Sequence, residues 1–183
     1  MESRGSAEAL DALLKGEEVV VAAGEKGGRI GELEDGGYGE RRGGELVLKD
    51  YEALYLLVTG RLRLKDERGR AVAFDELAEM SQARAGDAWT KFMIYRDLRT
   101  RGYTVKDGFG FGTDLRVYER GDFPAKAAKF VVFALDEGTE RGVEELSESV
   151  RQIVKMGKEA IVAVIERRGE VIYYKVARAN FRR

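Results

Sequence analysis

Arginines and aromatic residues are interleaved through residues 95–118, and this pattern could support contacts with a nucleic acid. Cationic side chains bind phosphates, and aromatic rings stack on unstacked bases, so the composition suits a surface that contacts RNA. The alternative is a helix followed by two strands that share an ordinary solvated, charged face. The stretch ends in Leu115-Arg116-Val117-Tyr118, whose alternation of apolar and polar residues predicts a half-buried strand.

Histidine and cysteine are both absent from the 183 residues. The chain therefore has no imidazole acid or base, no Ser-His or Cys-His triad, and no site in which histidine or a thiolate ligates a metal. We expect neither a metal nor another cofactor. No apolar run approaches the roughly 20 residues of a membrane span, and the first residues lack the pattern of a secretion signal. We therefore expect a cytoplasmic protein with no membrane partner.

The formal net charge of −1 conceals a marked segregation of charge along the chain. Residues 1–83 carry 12 basic and 18 acidic side chains, whereas residues 84–133 carry 10 and 6. Residues 134–149 carry 1 basic and 6 acidic side chains, and residues 150–183 carry 9 basic and 3 acidic ones. The second half is thus basic with one acidic interruption. Basic clustering attracts nucleic acids, although similar contrasts occur in proteins that bind none.

Apolar patterning in the first half predicts a small α/β domain over residues 1–84. Leu10, Leu13 and Leu14 would share one face of a helix at Ser6–Lys15. The glycine-rich stretch Gly24–Gly44 predicts hairpin turns around a short strand near Arg29–Leu33. The other predicted elements are strands at Glu18–Ala23, Leu46–Leu48 and Leu62–Leu64, a helix opened by Lys49-Asp50 and stopped by Gly60, and a helix capped by Asp75.

The second half, residues 85–183, reads as a mixed α/β (α+β) module. It begins with a helix at Asp87–Arg101, whose large apolar residues we assign to the core: Trp89, Phe92, Met93, Tyr95 and Leu98. A turn at Gly102 leads into the strands before Tyr118. The remaining predicted elements are strands at Phe130–Leu135, Ala160–Ile165 and Val171–Val176, with a helix at Val143–Met156.

Short motifs are spread over nearly the whole chain, and those of the second half are the more specific. They are Phe92, Tyr95-Arg96-Asp97-Leu98-Arg99, Arg101-Gly102-Tyr103, Lys106-Asp107-Gly108, Phe111-Gly112, 114–118, 162–165 and 169–174. The first half contributes Tyr38-Gly39, Leu46-Val47-Leu48, residues 51–57 and Gly60. Together these motifs resemble those of archaeal tRNA-intron (splicing) endonuclease subunits. The resemblance implies a small N-terminal domain followed by a nuclease domain with a mixed sheet.

The resemblance also implies a chemistry. Enzymes of this family cut precursor tRNA at bulge-helix-bulge elements without a metal and leave a 2′,3′-cyclic phosphate. A base, an acid and a phosphate-stabilising cation are needed, and the family uses a Tyr, a His and a Lys. Tyr118 and Lys158 stand at the positions of the Tyr and the Lys, but Ala127 aligns with the His.

The missing acid predicts that this chain is nearly inactive on its own, because an acid or base typically contributes roughly 10²–10⁴-fold. Lys126 is adjacent to Ala127, yet a lysine near its reference pKa of about 10.4 is a poor acid at neutral pH. Some members of the family are heterotetramers in which two catalytic subunits act with two structural subunits that have lost catalytic residues. The resemblance therefore implies a structural subunit of an α2β2 enzyme, with a catalytic subunit and precursor tRNA as its partners.

In such assemblies an acidic loop of the structural subunit docks into a basic pocket of the catalytic one. Asp136, Glu137 and Glu140 lie where that loop is expected, although a solvated turn is the alternative. The strand Val171–Val176, represented by Val171, Tyr173 and Val176, would pair edge to edge with its counterpart in the partner.

Three basic residues are candidates for RNA binding under this resemblance: Arg151, Arg116 and Lys126. Arg151 matches a family arginine that stacks on bulged bases, or else it is a plain charge on a helix surface. Two other functions remain open. One is an active endonuclease in which Lys126 or a water replaces the His, and the other is a non-enzymatic RNA-binding or assembly module.

Overall fold

The structure, a computed structural model, describes residues 9–22, 27–110, 113–138 and 140–179. The chain divides into two compact units, residues 1–92 and 93–183, and each contains one mixed sheet. The predicted α+β class is therefore confirmed. The predicted domain boundary between residues 84 and 85 stays a prediction. Parts of the predicted N-terminal helix and of the glycine-rich segments, at 6–8, 23–26 and 111–112, lie outside the described residues.

In the first unit the described strands form a six-stranded sheet with the order β3-β4-β2-β1-β5-β6. The central strand β1 pairs antiparallel with β2 and parallel with β5. The elements are β1 (Leu10–Lys15), β2 (Glu18–Val21), α1 (Gly27–Asp35), β3 (Glu40–Arg42), β4 (Glu45–Leu48), α2 (Asp50–Val58), β5 (Leu62–Asp66), β6 (Ala71–Val72) and α3 (Phe74–Arg84). The predicted strands at 18–23, 46–48 and 62–64 and the helix after Lys49 are confirmed within a few residues.

A buried carboxylate ties the start of α2 to the turn before β3. Glu52 is 1% exposed, and its Oε2 accepts hydrogen bonds from the backbone N–H of Lys49 at 2.9 Å and of Gly39 at 3.0 Å. Gly39 has a φ of +66°, and a Cβ at this position would lie 2.7 Å from Cγ of Leu46. Only glycine fits this turn without strain and without a clash.

The predicted helix at Ser6–Lys15 is wrong for its described part, because Leu10–Lys15 forms β1. Ala12 and Leu14 are buried in alternation, as in a strand, and the segment has hydrogen-bonded neighbours on both sides. Leu10, Leu13 and Leu14 also satisfy a helical spacing, so this six-residue segment is compatible with the apolar pattern of a helix and with that of a strand. Pairing with β5, about fifty residues away, decided between them.

The strand predicted near Arg29–Leu33 is also wrong, since α1 occupies Gly27–Asp35. Ile30 and Leu33, three residues apart, are both 2% exposed and anchor the helix in the core. The helix closes with a hydrogen bond from the Tyr38 N–H to the Leu33 carbonyl at 2.8 Å. Glycines lower helix propensity, and here burial of two apolar side chains overrides that local preference.

Two details of the next helices differ from prediction. Ala73, not Asp75, is the N-cap of α3, and Asp75 lies within the first turn, where its charge favours the helix N-terminus. The helix α4 (Ala88–Thr100) matches the predicted span to within a residue at each end. Trp89, assigned to the core, is 45% exposed, although its ring contacts those of Phe74 and Phe92.

The second unit reproduces the predicted order of elements. After α4 come β7 (Thr104–Gly110), β8 (Thr113–Tyr118), β9 (Phe130–Asp136), α5 (Val143–Lys155), β10 (Glu159–Ile165) and β11 (Val171–Val176). The described strands form a five-stranded sheet with the order β11-β10-β9-β8-β7, in which only the β9–β10 pair is parallel. In the described part of the chain, no helix is long and apolar enough to cross a membrane.

The helix α5 covers one face of this sheet with an amphipathic stripe. Val150 and Ile153 pack with Val131, Phe133 and Ala160 in a single core cluster. Residues two apart on a strand point to the same side of a sheet, so alternate residues of β8, β9 and β10 face α5. This helix-covered side is where the functional candidates meet.

Candidate active site

Three strand ends converge at one edge of the second sheet. Val117 on β8 lies opposite Phe130 at the start of β9, and Phe130 lies opposite Glu159 at the start of β10. Because β8 runs antiparallel to β9 and β9 runs parallel to β10, the C-terminus of β8 meets the N-termini of the other two strands. Tyr118 and Lys158 therefore lie at the same sheet edge, although forty positions separate them in the sequence.

Tyr118 is the last residue of β8 and is half-buried. Its ring makes an edge contact with Phe123, with 5.1 Å between the centroids, which holds the side chain against the following loop. Arg116, two residues earlier, lies opposite Val131 of the core cluster. By alternation, Tyr118 and Arg116 both point to the α5 side of the sheet.

Lys158 stands between α5 and β10, where Met156 is the C-cap of the helix and Gly157 has a φ of +69°. The side chain is directed back to the segment before β9: its Nζ donates to the Ala128 carbonyl at 2.6 Å. Ala128 is 4% exposed, whereas the preceding Ala127 is exposed. Ala127, where the motif resemblance led us to expect a His, thus lies one residue from the carbonyl group that binds Lys158.

Lys126 is bound within its own loop. Its Nζ forms an ion pair with Asp122 at 2.7 Å, and its N–H donates to the Asp122 carbonyl at 2.7 Å. The hydrogen bond that the Lys126 ammonium donates to Asp122, with the charge of that carboxylate, raises the pKa of Lys126 above its ordinary value. A raised pKa makes an ammonium group a still weaker proton donor at neutral pH.

Sequence reasoning missed Phe109, whose ring contacts two cations. The Arg116 Cζ lies 5.3 Å from the centroid of this ring, and the Lys158 Nζ lies 5.4 Å from the same centroid. Phe109 also packs against the core cluster beneath α5, so the ring is a fixed platform. An aromatic residue between two glycines, Gly108-Phe109-Gly110, was the available signal in the sequence. It does not indicate which cationic side chains the ring contacts in the folded chain.

Arg151 occupies an exposed turn of α5 and forms an ion pair with Glu148 at 2.5 Å. It lines a groove of about 550 Å³ together with residues of α5 and of the chain after β11, namely Val143, Leu146, Ser147, Val150, Val176, Ala177 and Arg178. Tyr118, Lys158 and Phe109 are not among the lining residues of this groove.

The acidic segment after β9 is partly engaged within the chain. Glu137 forms an ion pair with Arg167 at 3.2 Å and also accepts a hydrogen bond from the Arg167 N–H at 3.1 Å. Asp136 and Glu140 are exposed, and Thr139 between them lies outside the described residues. Glu137 therefore links the segment to the turn between β10 and β11.

The strand β11 is at one edge of the sheet. Its predicted pairing with a partner subunit stays a prediction. Val171, Tyr173 and Val176 are half-buried, and Tyr174 is 53% exposed. The Tyr173 hydroxyl donates to Asp97 on α4 at 2.7 Å. Burial, followed by the hydrogen bond and charge of Asp97, raises the pKa of Tyr173 well above its ordinary value.

Comparison with known proteins assigns both halves of the chain to domains of one family. Residues 10–78 match the model of the tRNA intron endonuclease N-terminal domain, and residues 88–173 match the model of the tRNA intron endonuclease catalytic C-terminal domain. The chain belongs to the tRNA intron endonuclease family. The resemblance drawn from the motifs is thereby confirmed, and with it a relation to enzymes that cut introns from tRNA.

Members of the tRNA intron endonuclease family from several archaea are similar over most of the chain. A tRNA-splicing endonuclease of Methanococcus vannielii is 31% identical over 147 residues, which cover 80% of this chain and 83% of that protein. One from Pyrococcus abyssi is 31% identical over 79% of this chain and 83% of its own length. One from Thermococcus kodakarensis is 33% identical over 75% of this chain and 80% of its own length.

Proposed function

We propose that this chain is the structural, non-catalytic subunit of an α2β2 tRNA-intron endonuclease. Its role is to support assembly and to help bind precursor tRNA, while a catalytic partner subunit cuts the RNA. The observation that supports the proposal is that Tyr118 and Lys158 lie at one sheet edge, with Lys158 bound to the carbonyl of Ala128. The neighbouring Ala127 is the position at which the motif resemblance expects the acid.

Intron cleavage to a 2′,3′-cyclic phosphate requires proton removal from a ribose 2′-hydroxyl and proton donation to the leaving 5′-oxygen. A tyrosine can serve the first step and an ammonium group can stabilise the phosphorane, but alanine cannot donate a proton. No histidine elsewhere in the chain is available to move into the site. Loss of the acid costs roughly 10²–10⁴-fold in rate, so efficient cleavage requires another subunit.

Lys126 is a poor replacement for the acid. Its ammonium group is tied to Asp122, its side chain is 71% exposed, and its pKa is raised by that carboxylate. Lys126 is better suited to bind phosphate than to release a proton. Arg116 and Arg151 are the other proposed RNA contacts, and Arg151 would exchange its ion pair with Glu148 for a contact with RNA.

Two surfaces are proposed to bind the catalytic partner. The edge of β11 has hydrogen-bonding groups on the side that does not face β10, and an added strand would satisfy them. Val171, Tyr173 and Val176 belong to this edge. The acidic segment of Asp136, Glu137 and Glu140 would enter a basic pocket of the partner. The ion pair between Glu137 and Arg167 would fix the position of this segment on its own subunit.

The test is reconstitution. The purified chain is assayed on an intron-containing precursor tRNA alone and after mixing with a catalytic homologue from the same genome. We expect cleavage only in the mixture, with both subunits eluting in one complex of tetramer size. Cleavage by this chain alone at the rate of the mixture would contradict the proposal, and such a result would leave Lys126 or a water as the acid.

A variant of this chain tests which subunit of the complex performs the cleavage. Tyr118→Phe removes the hydroxyl that would act as base while keeping the ring on Phe123. Under the proposal, this change alters the cleavage rate of the complex less than about twofold, whereas a factor near 10² is typical of a lost acid or base. A large loss would place a working active site in this chain.

A further inference from the structure

We propose that a pocket on the face of the second sheet away from α5 binds a nucleotide, with the base inside the pocket and the phosphate on Arg120. This site goes beyond the proposed function, because it uses none of the residues assigned above to cleavage or to RNA contact. Whether it binds a nucleotide is therefore independent of whether the chain is catalytic.

The pocket has a volume of about 250 Å³ and a largely apolar lining. Val132, which belongs to this lining, lies between two residues of β9 that pack beneath α5, so the pocket is on the opposite face of the sheet. Its volume is just below the roughly 300–1,000 Å³ of most small-molecule sites, which suits a single ring system. The other aliphatic residues of the lining are Leu98 on α4, Val117 on β8 and Ile161 on β10.

Two tyrosines, Tyr103 before β7 and Tyr173 on β11, also line the pocket. Tyr173 is fixed by the hydrogen bond from its hydroxyl to Asp97, at 2.7 Å. The same carboxylate forms an ion pair with Arg101 at 2.7 Å, which places the Arg101 Cζ 5.8 Å from the centroid of the Tyr173 ring. Every nucleobase has a π-face that stacks on aromatic side chains, so these rings suit a base.

Arg120 supplies an unbalanced positive charge beside this pocket. Its side chain is exposed, and its Cζ lies 5.2 Å from the centroid of the Tyr103 ring. Arg101 and Lys129 each form an ion pair with a carboxylate, whereas in the part of the chain that the structure describes Arg120 forms none. A phosphodiester carries one negative charge, and the planar fork of a guanidinium matches two of its oxygens.

The hydroxyl of Tyr103 favours a base over an apolar side chain of a protein. Among the described residues this hydroxyl has no hydrogen-bond partner, and only the Tyr103 carbonyl accepts a bond, from Arg99 at 3.4 Å. A phenolic hydroxyl both donates and accepts, so it can bind the polar edge of a base. An apolar side chain in the pocket would bury the hydroxyl unpaired, which is unfavourable. Ring faces, a polar group and one free charge together match a nucleotide.

The experiment is a titration of the full chain, labelled with ¹³C at its methyl groups, with adenosine monophosphate (AMP). We expect the methyl resonances of Leu98, Val132 and Ile161 to shift upfield and to saturate, because the ring of a bound base shields them. Arg120→Gln should weaken AMP binding roughly tenfold and leave adenosine binding unchanged, since only AMP has a phosphate. Tyr103→Leu should weaken the binding of both ligands roughly tenfold through lost stacking.

Two matched controls should bind AMP like the parent chain. Arg68→Gln removes an exposed positive charge from the turn between β5 and β6, and Tyr174→Leu removes a ring from the other face of β11. The absence of a methyl shift at about 10 mM AMP, or equal weakening by Arg68→Gln and Arg120→Gln, would overturn the site. Thermal melting shows whether Tyr103→Leu is folded, and the exposed Arg120 provides an independent reading.

A free nucleotide and an unpaired nucleotide of RNA share this chemistry, and a second arm separates them. A short single-stranded RNA that shifts the same methyl groups at lower concentration than AMP identifies RNA as the source, and the reverse order identifies the free nucleotide. Shifts caused by a short peptide of glutamate and phenylalanine, with none caused by AMP, would assign the pocket to a protein and overturn the proposal. The titration needs no partner subunit, so its failure leaves the reconstitution result intact, and failed reconstitution leaves nucleotide binding measurable.

Discussion

Lys158 donates a hydrogen bond from Nζ to the carbonyl oxygen of Ala128, at 2.6 Å, across thirty positions of sequence. This contact links the C-terminus of α5 to the segment before β9 and sets the position of the ammonium group beside Phe109. Lys158, which we propose to stand at the position of a phosphate-stabilising cation, therefore also connects two elements of the fold.

We expect Lys158→Met to lower the free energy of unfolding by about 1–2 kcal/mol, because it leaves the carbonyl of the buried Ala128 without its charged donor. Urea denaturation measures the change. Lys65→Met, at an exposed position of β5, is the control and should stay within about 0.5 kcal/mol of the parent. Equal effects of the two substitutions would show that the contact contributes nothing.

If Ala127 stands at the position of the missing acid, as proposed, a histidine there should give the chain activity. We expect Ala127→His to raise precursor-tRNA cleavage by the isolated chain at least tenfold, toward the roughly 10²–10⁴-fold limit for an added acid. The exposed side chain of Ala127 leaves room for an imidazole near Lys158. Ala125→His, two residues earlier and also exposed, should have no effect. Tyr118→Phe in the Ala127→His background should abolish the gain, and a persistent gain would refute the assignment of roles.

The hydrogen bond between Tyr173 and Asp97 predicts a loss of stability at alkaline pH. The pKa of Tyr173 is raised in the folded state, so the unfolded chain loses this proton first as the pH rises past its ordinary value of about 10. Below that pH the contribution is fully present, and above it the free energy of unfolding falls. In Tyr173→Phe the stability at pH 7 should be about 1 kcal/mol lower, and this alkaline decline should disappear.

The turn at Gly39 predicts a difference between two glycine substitutions. Gly39 and Gly43 both have positive φ, +66° and +54°, so alanine is strained at either position. Only at Gly39 would the new Cβ approach Leu46 to 2.7 Å, whereas nothing lies within 4 Å at Gly43. We expect Gly39→Ala to cost about 1–3 kcal/mol more than Gly43→Ala in thermal or urea unfolding. Equal costs would mean that the turn relaxes around the clash.

Charge reversal tests the acidic segment. If Glu140 enters a basic pocket, Glu140→Lys should weaken binding to the catalytic subunit roughly tenfold, with a steeper loss at low salt than at high salt. Glu67→Lys makes the same change of charge in the exposed turn between β5 and β6 and should leave the affinity unchanged. Titration of labelled partner at two ionic strengths measures both, and equal effects would place the docking elsewhere.

Local sequence patterns were sufficient for most of the second unit. Its strands are apolar runs such as Phe130–Asp136 and Glu159–Ile165, and α5 has a helical apolar stripe, so composition and period specify each element. In the first unit, the predictions for Leu10–Lys15 and Gly27–Asp35 were wrong. A short segment can satisfy both the helical and the strand period, and its contacts in the folded chain decide which of the two forms.

The sequence by itself determined which chemical groups are present: a Tyr at 118, a Lys at 158, an Ala at 127 and no histidine anywhere. The tertiary structure decided that Tyr118 and Lys158 share a sheet edge, that Asp122 binds Lys126, and that Arg116 and Lys158 each contact the ring of Phe109. Strand pairing produces these relationships between residues far apart in the chain. Local propensity does not encode such pairing, because it depends on the burial of both strands at once.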